Sequence, residues 1–309
     1  IATVNNGLIS VNNSRDGYRV TISKKDIFQK NAILFNELNE LFCDENGTIW
    51  IGTLRGLSGF NPKNDSFFGV GPSANLSLGL PSESVWGFAE SDDFSKVYIA
   101  TDFAISELDR KSGIFKHYYI SKSPDFNENS IVSIHHISDQ QFLIGANDGL
   151  YELKITGGQG NFKKIAYKGI ANPSSFQRVY KITPYKNKQY FVATKGGVLL
   201  YDLKSGEFTP FTYDPKKPKT TIGAGVCRVA YKGLNNTYYF ATGVGGINQL
   251  TLDKDGKEQI VPYEFNKSIL KASRDVISSI YQQDENTLWL GSSGSGLLKL
   301  NSRVSHWPV

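Results

Sequence analysis

An all-β fold is predicted by three observations. Short runs rich in β-branched and aromatic residues alternate with tight-turn signals along the whole length, no helical periodicity lasts beyond a turn or two, and one strand–turn–strand unit recurs at a fixed period. The unit is clearest in Asp44–Asn61, DENGTIWIGTLRGLSGFN. Asn46-Gly47 marks a tight turn because both residue types tolerate positive φ. Ile49-Trp50-Ile51 reads as a half-buried strand ending on Gly52-Thr53, and a second strand begins at Leu57, just past Gly56.

Copies of this unit align on the strand-end residues Thr3, Thr53, Thr101, Ala146, Thr194, Thr242 and Ser292. These lie roughly 45–50 residues apart, a spacing typical of propeller blades. Neighbouring columns agree. Trp50, Tyr98, Leu143, Phe191, Tyr239 and Trp289 supply a large side chain three residues before the aligned one, and Gly or Ala always precedes it. Gly7, Gly56, Gly149, Gly197, Gly246 and Gly296 follow within a few residues, with Ala104 departing from the pattern. Upstream, an apolar pair at i, i+3 recurs: Leu38/Leu41, Trp86/Ala89, Ile131/Ile134, Val179/Ile182, Cys227/Ala230 and Ile277/Ile280.

Each complete copy reads as four strands, in the first case Leu38–Cys43, Ile49–Thr53, Leu57–Asn61 and Ser66–Val70. The outer strand is weakest throughout, as suits an edge. Such a unit has apolar residues on both faces of its middle strands and cannot bury them alone; stacking units face to face does. The seven aligned positions predict a seven-bladed β-propeller of four-stranded antiparallel blades. The expected organisation is one domain over 1–309, with an incomplete first repeat at 1–35. Complete repeats are expected near 36–83, 84–128, 129–176, 177–224, 225–274 and 275–309. In this scheme the large-residue column fills the wedge between blades, and the Gly/Ala column allows close approach of a neighbouring sheet. The first repeat lacks its inner strand. Either sequence outside the chain supplies it, or a segment near Ser305–Val309 closes the ring as a latch. Starting at Ile1 inside a strand, the chain reads as a portion of something longer.

Composition narrows the function. Thirty-four Lys and Arg against 29 Asp and Glu leave a net charge of +5, without the basic, aromatic-interleaved stripe of a nucleic-acid surface. Lys216, Lys217 and Lys219, between Pro215 and Pro218, read as a solvated loop. No segment reaches the ~20 apolar residues of a membrane span, and no signal peptide or lipidation motif is visible. Cys43 and Cys227, on corresponding strands of separate repeats, read as small buried hydrophobes rather than a disulfide.

The pattern D-x-x-G-x-x-W-I-G-T-x-x-G-L-x-x-F-(N/D), in Asp44–Asn61 and again in Asp284–Asn301, resembles the two-component regulator propeller repeat. The resemblance covers essentially the whole chain and is looser around Thr101, Ala146, Thr194 and Thr242. It implies one propeller, the N-terminal one, from the periplasmic sensor region of a Bacteroides-type hybrid two-component system. The partners it implies are a second propeller and an immunoglobulin-like domain of the same receptor. It further implies a homodimer in the full-length protein, a membrane helix and histidine kinase outside this chain, and sensing of oligosaccharides that controls polysaccharide-utilisation genes.

Chemistry-bearing motifs are sparse. His135 and His136 point to opposite faces of one strand and cannot share a metal. Asp253-Lys254-Asp255-Gly256 lacks the spaced ligands of a calcium loop and reads as a hairpin turn. Neither a nucleophile elbow nor a phosphate-binding glycine loop is present, so no cofactor, metal or catalytic residue is expected. For binding, the turns between second and third strands share a rim with the segments leading into inner strands. That rim offers Arg55, Asp102, Phe103, Asn147, Asp148, Lys195, Val244 and Ser293 from turns, and Trp86, Arg178, Arg228 and Arg274 from the inner-strand starts. The polar column Asn36, Ser84, Asn129, Gln177, Gly225 and Asp275 is explained first as groups satisfying backbone where loop becomes strand. The sharper reading makes Arg55, Trp86, Arg178, Lys195, Arg228 and Arg274 ligand-binding residues. An indole face suits a sugar's C–H surface and guanidinium forks suit carboxylate or sulfate, so an acidic glycan fits better than a neutral one. Two alternatives stay open: a scaffold for dimerisation or interdomain contact that binds no sugar, and a propeller lyase or hydrolase.

Overall fold

The computed structural model describes all residues except 1, 3–5, 15–16, 27, 29–30, 122–129, 139, 244–245, 264–275, 293–295 and 302–309. It divides into two compact units, Ile1–Ile165 and Ala166–Val309.

The first unit opens with a hairpin of β1 (Leu8–Ser14) and β2 (Gly17–Ser23). Three antiparallel sheets follow, each a meander in which consecutive strands are neighbours. They are β3 (Leu38–Cys43) to β6 (Ser66–Val70) through β4 (Ile49–Thr53) and β5 (Gly56–Asn61); β7 (Val85–Glu90), β8 (Lys96–Thr101), β9 (Ala104–Asp109) and β10 (Phe115–Tyr119); and β11 (Ile131–Ser138), β12 (Gln141–Ala146), β13 (Gly149–Thr156) and β14 (Gln159–Lys164). The second unit repeats the design. Its sheets are β15 (Val179–Pro184), β16 (Gln189–Thr194), β17 (Gly197–Asp202) and β18 (Phe208–Phe211); β19 (Cys227–Lys232), β20 (Tyr238–Thr242), β21 (Gly246–Leu252) and β22 (Glu258–Pro262); and β23 (Ile277–Asp284), β24 (Thr287–Ser292) and β25 (Gly296–Asn301).

The expectation of seven blades is corrected to six. Among the described residues there are five four-stranded sheets and one three-stranded sheet, while β1 and β2 form only a two-stranded ribbon. Counting the aligned positions overstates the number because the segment after Thr3 forms only this ribbon. Its β2 is exposed from Gly17 to Ile22 and has no described neighbour beyond β1.

Middle strands are buried on both faces, with successive residues serving opposite neighbours. In β20, Tyr238 and Phe240 pack with Phe191, Ala193 and Val198 of the preceding sheet, while Tyr239 and Ala241 pack with Ile277, Ile280 and Leu290 of the following one. In the first unit, Trp50 packs with Val85, Phe88 and Ile99, and Tyr98 with Ile134, Phe142 and Ile144. The large-residue column thus fills the space toward the next sheet, at about 1.5–3 kcal/mol per fully buried side chain. The Gly/Ala column faces the same way. A Cβ on Gly52 would lie 2.8 Å from the carbonyl oxygen of Val85.

The repeated threonine is a turn clamp. Thr53 Oγ1 donates to the Gly56 carbonyl at 2.8 Å and accepts the Arg55 N–H at 3.0 Å. Thr194 does the same with Gly197 (2.9 Å) and Gly196 (3.2 Å), and Thr101 donates to the Ala104 carbonyl at 2.9 Å. The glycine closing this turn needs positive φ, +116° at Gly56 and +123° at Gly197, where the outer strand's carbonyl also leaves no room for a Cβ.

Candidate functional site

All six inner strands carry the same irregularity. In β3, β7, β11, β15, β19 and β23 the ladder skips one residue near its start, leaving Asn39, Trp86, Val132, Tyr180, Arg228 and Ser278 outside the regular register. A bulge bends its strand and re-aims the extra side chain. Next to it, the turn after the second strand donates an N–H to the residue preceding the inner strand. These bonds run from Leu54 to Glu37 (3.2 Å), Asn147 to Ser130 (2.9 Å), Lys195 to Arg178 (3.2 Å) and Gly243 to Val226 (2.9 Å). Turn and bulge therefore occupy one rim of each of these blades.

In the first unit, Arg55 is exposed, with its guanidinium carbon 5.2 Å from the Phe35 ring centroid and Lys25 Nζ 5.9 Å from the same ring. Half-buried Trp86 donates its indole N–H to Asp102 Oδ1 at 2.9 Å. Asp102 is buried, its N–H reaches Ser82 Oγ at 3.3 Å and its carbonyl accepts the Ile131 N–H at 2.8 Å. The polar edge of Trp86 is thus committed to the protein, and its π face is what it can offer a ligand.

In the second unit the geometry gathers Arg178, Arg228 and Lys195. Both guanidinium carbons approach the ring of half-buried Tyr180, at 5.1 Å for Arg178 and 5.3 Å for Arg228. Lys195 is tied to Arg178 through the backbone bond above. All three cations are exposed, and no carboxylate among the described residues is paired with them. Arg178 has φ of +62°, a left-handed conformation that costs a residue bearing a Cβ about 1–2 kcal/mol.

Arg274 lies outside the described residues, as do Val244, Ser293, Asn129, Asp275 and the segment near Ser305–Val309. Asn36 does what a strand-leading polar residue was expected to do, its Oδ1 accepting the Lys25 N–H at 2.6 Å. Tyr180 is not singled out by the sequence alone. Its signal is the column immediately after the first inner-strand residue, in which Trp86 and Arg228 also stand.

Elsewhere, the Asp253 turn closes on itself, Oδ1 accepting the N–H groups of Asp255 and Lys257 at 2.9 Å each. His117 lies between Ser106 Oγ (2.9 Å) and the Leu76 carbonyl (2.7 Å). Cys227 is buried, and burial pushes its thiol up to about 12. Cys43 is exposed at the far end of its inner strand, which corrects the expectation that both cysteines are buried.

No protein-family model and no curated protein matches the chain. Solved structures do. The extracellular domain assigned to the hybrid two-component system BT3049 of B. thetaiotaomicron superposes over 98% of this chain and 40% of its own, at 21% identity and a TM-score of 0.72. The β-propeller domain of Cps50 (Swd1) from Myceliophteria thermophila matches 86% of this chain and 84% of its own, at 10% identity and a TM-score of 0.63. The fold is a β-propeller. A further match is the extracellular domain assigned to the one-component system BT4673 of B. thetaiotaomicron, at 15% identity and a TM-score of 0.58 over 97% of this chain. This propeller spans 40% and 46% of the two B. thetaiotaomicron chains. Among the described residues, no helix is long and apolar enough to cross a membrane.

Proposed function

We propose that this propeller is a periplasmic sensor module of a hybrid two-component receptor, taking part in oligosaccharide recognition that controls polysaccharide-utilisation genes. The observation that carries the reading is the rim of the second unit, where Arg178, Tyr180, Arg228 and Lys195 combine an aromatic ring with uncompensated hydrogen-bond donors. The Asp44–Asn61 repeat and the likeness to two extracellular domains of bacterial signalling systems support it. In this reading the propeller carries out no reaction. It hands the bound state to a second propeller and an immunoglobulin-like domain, within a homodimer whose membrane helix and histidine kinase lie elsewhere. Calorimetry with a panel of neutral and acidic oligosaccharides tests the proposal, and a saturable heat with at least one of them is the expected result.

A second reading, a scaffold that binds no sugar, draws on Tyr18, Val20 and Ile22, which alternate along β2 and are 43%, 55% and 52% exposed. Absence of heat with every oligosaccharide, together with concentration-dependent self-association in sedimentation, would favour it.

A further inference from the structure

We infer that Arg178, Tyr180 and Arg228 form a subsite for an oxyanion, a sulfate ester or carboxylate, borne on a sugar. This rests on the oligosaccharide reading above and specifies the chemistry of its site.

Two guanidinium groups share one phenol ring, at 5.1 and 5.3 Å, and no described carboxylate neutralises either. Like charges gathered in this way repel, and exposed cation–π contacts are too weak to be a reason for gathering them. An oxyanion between the forks turns that repulsion into attraction. Guanidinium suits it because its planar donors match two oxygens of a carboxylate or sulfate at once.

Two backbone features on the same blades point the same way. Arg178 is held at φ of +62°, where glycine or asparagine would sit more easily, directly before β15. Such strain clusters where a side chain must be aimed. Tyr180 and Arg228 each occupy the bulge of their strand, so both are turned out of the regular ladder at corresponding positions of adjacent sheets. The ring of Tyr180 lies between the two forks, and exposed Lys195 is anchored to Arg178 through its backbone N–H.

The test is titration calorimetry of the protein with a sulfated oligosaccharide free of carboxylates, its desulfated counterpart and inorganic sulfate. At least tenfold tighter binding of the sulfated form is expected, weakening as salt rises. Arg228→Gln and Arg178→Gly should each reduce that affinity about tenfold or more, the loss of roughly one charge-assisted contact. Arg178→Gly removes the guanidinium and relieves the left-handed backbone, so its melting temperature should hold or rise, which separates lost binding from lost folding. Equal affinity for sulfated and desulfated forms would overturn the oxyanion subsite and leave the oligosaccharide reading standing. Inorganic sulfate binding as tightly as the sulfated oligosaccharide would keep an anion site but overturn its assignment to a sugar. No binding of any of the three probes would overturn both.

Discussion

Trp50 and Trp289 stand at the same position of the repeat and meet different surroundings. Trp50 is 5% exposed, and its indole N–H donates to buried Asp44 Oδ2 at 2.7 Å. That carboxylate also accepts Arg110 Nη2 at 2.7 Å, and Arg110 Nη1 reaches Glu90 Oε1 at 2.6 Å, so the following sheet closes over the tryptophan with an ion-pair network. Trp289 is only half-buried. Its indole N–H finds Gln283 Oε1 at 2.7 Å in an exposed contact, and Lys299 Nζ stands 5.2 Å from its ring. Six residues before each tryptophan comes its acceptor, Asp44 in one copy and Gln283 in the other. The second copy's Asp284 is therefore not the counterpart of Asp44, although its position in the sequence pattern suggests it. Identical hydrogen-bond geometry serves two purposes: at Trp50 it joins an ion-pair network with the following sheet, and at Trp289 it lies in an exposed contact.

The contrast can be broken by substitution. Trp50→Ala should cost about 3–5 kcal/mol in denaturant unfolding, the range for emptying a buried aromatic site, and Trp289→Ala about half of that or less. Comparable losses at the two positions would show that Trp289 is as well covered as Trp50. Asp44→Ala should cost about 3 kcal/mol, since it leaves the buried indole N–H without its acceptor and removes one of the two carboxylates paired with Arg110, against about 0.5–1 kcal/mol for Gln283→Ala.

The turn glycines sharpen the same comparison. Gly56 has φ of +116°, and its Cβ would lie 2.7 Å from the Val70 carbonyl oxygen, whereas Gly296 at +73° has nothing within 4 Å. Gly56→Ala should therefore lose about 2 kcal/mol or more and Gly296→Ala about 1 kcal/mol, the backbone cost alone. Thr53→Val, which deletes the clamp but keeps the shape, should lose about 1 kcal/mol.

The smallest effect is electrostatic. The Asn286 N–H holds the Asp284 carboxyl below the usual aspartate range. A carboxyl with a depressed folded value stabilises above its unfolded value, and the contribution is lost as pH falls through the folded one. The stability difference between wild type and Asp284→Asn should accordingly be present at neutral pH and vanish in acid, as followed by unfolding at a series of pH values.

Much of the fold was legible because blades are local. The four strands of the Asp44–Asn61 repeat fall where their apolar runs and turn residues put them, with β5 starting one residue early at Gly56. The outer strands shift more, β14 beginning at Gln159 rather than Phe162, since an edge has fewer partners to set its ends. The site was legible in part. Arg178 and Arg228 stand out as cations near the starts of inner strands, yet Tyr180 looks like any strand aromatic. A bulge changes register without changing composition, and no periodicity reports it.

By itself the sequence determined the repeat, the turn chemistry and the column that fills the space between sheets, because each depends on residues only a few positions apart. Only the tertiary structure decided that there are six blades rather than seven, since a hairpin and a blade share the same threonine and glycine signals. It alone decided that Trp50 is sealed by Arg110 and Glu90 while Trp289 is only half-buried, and that two arginines far apart in the chain, Arg178 and Arg228, meet on one tyrosine. Those outcomes depend on which surfaces face each other, and sheet stacking settles that.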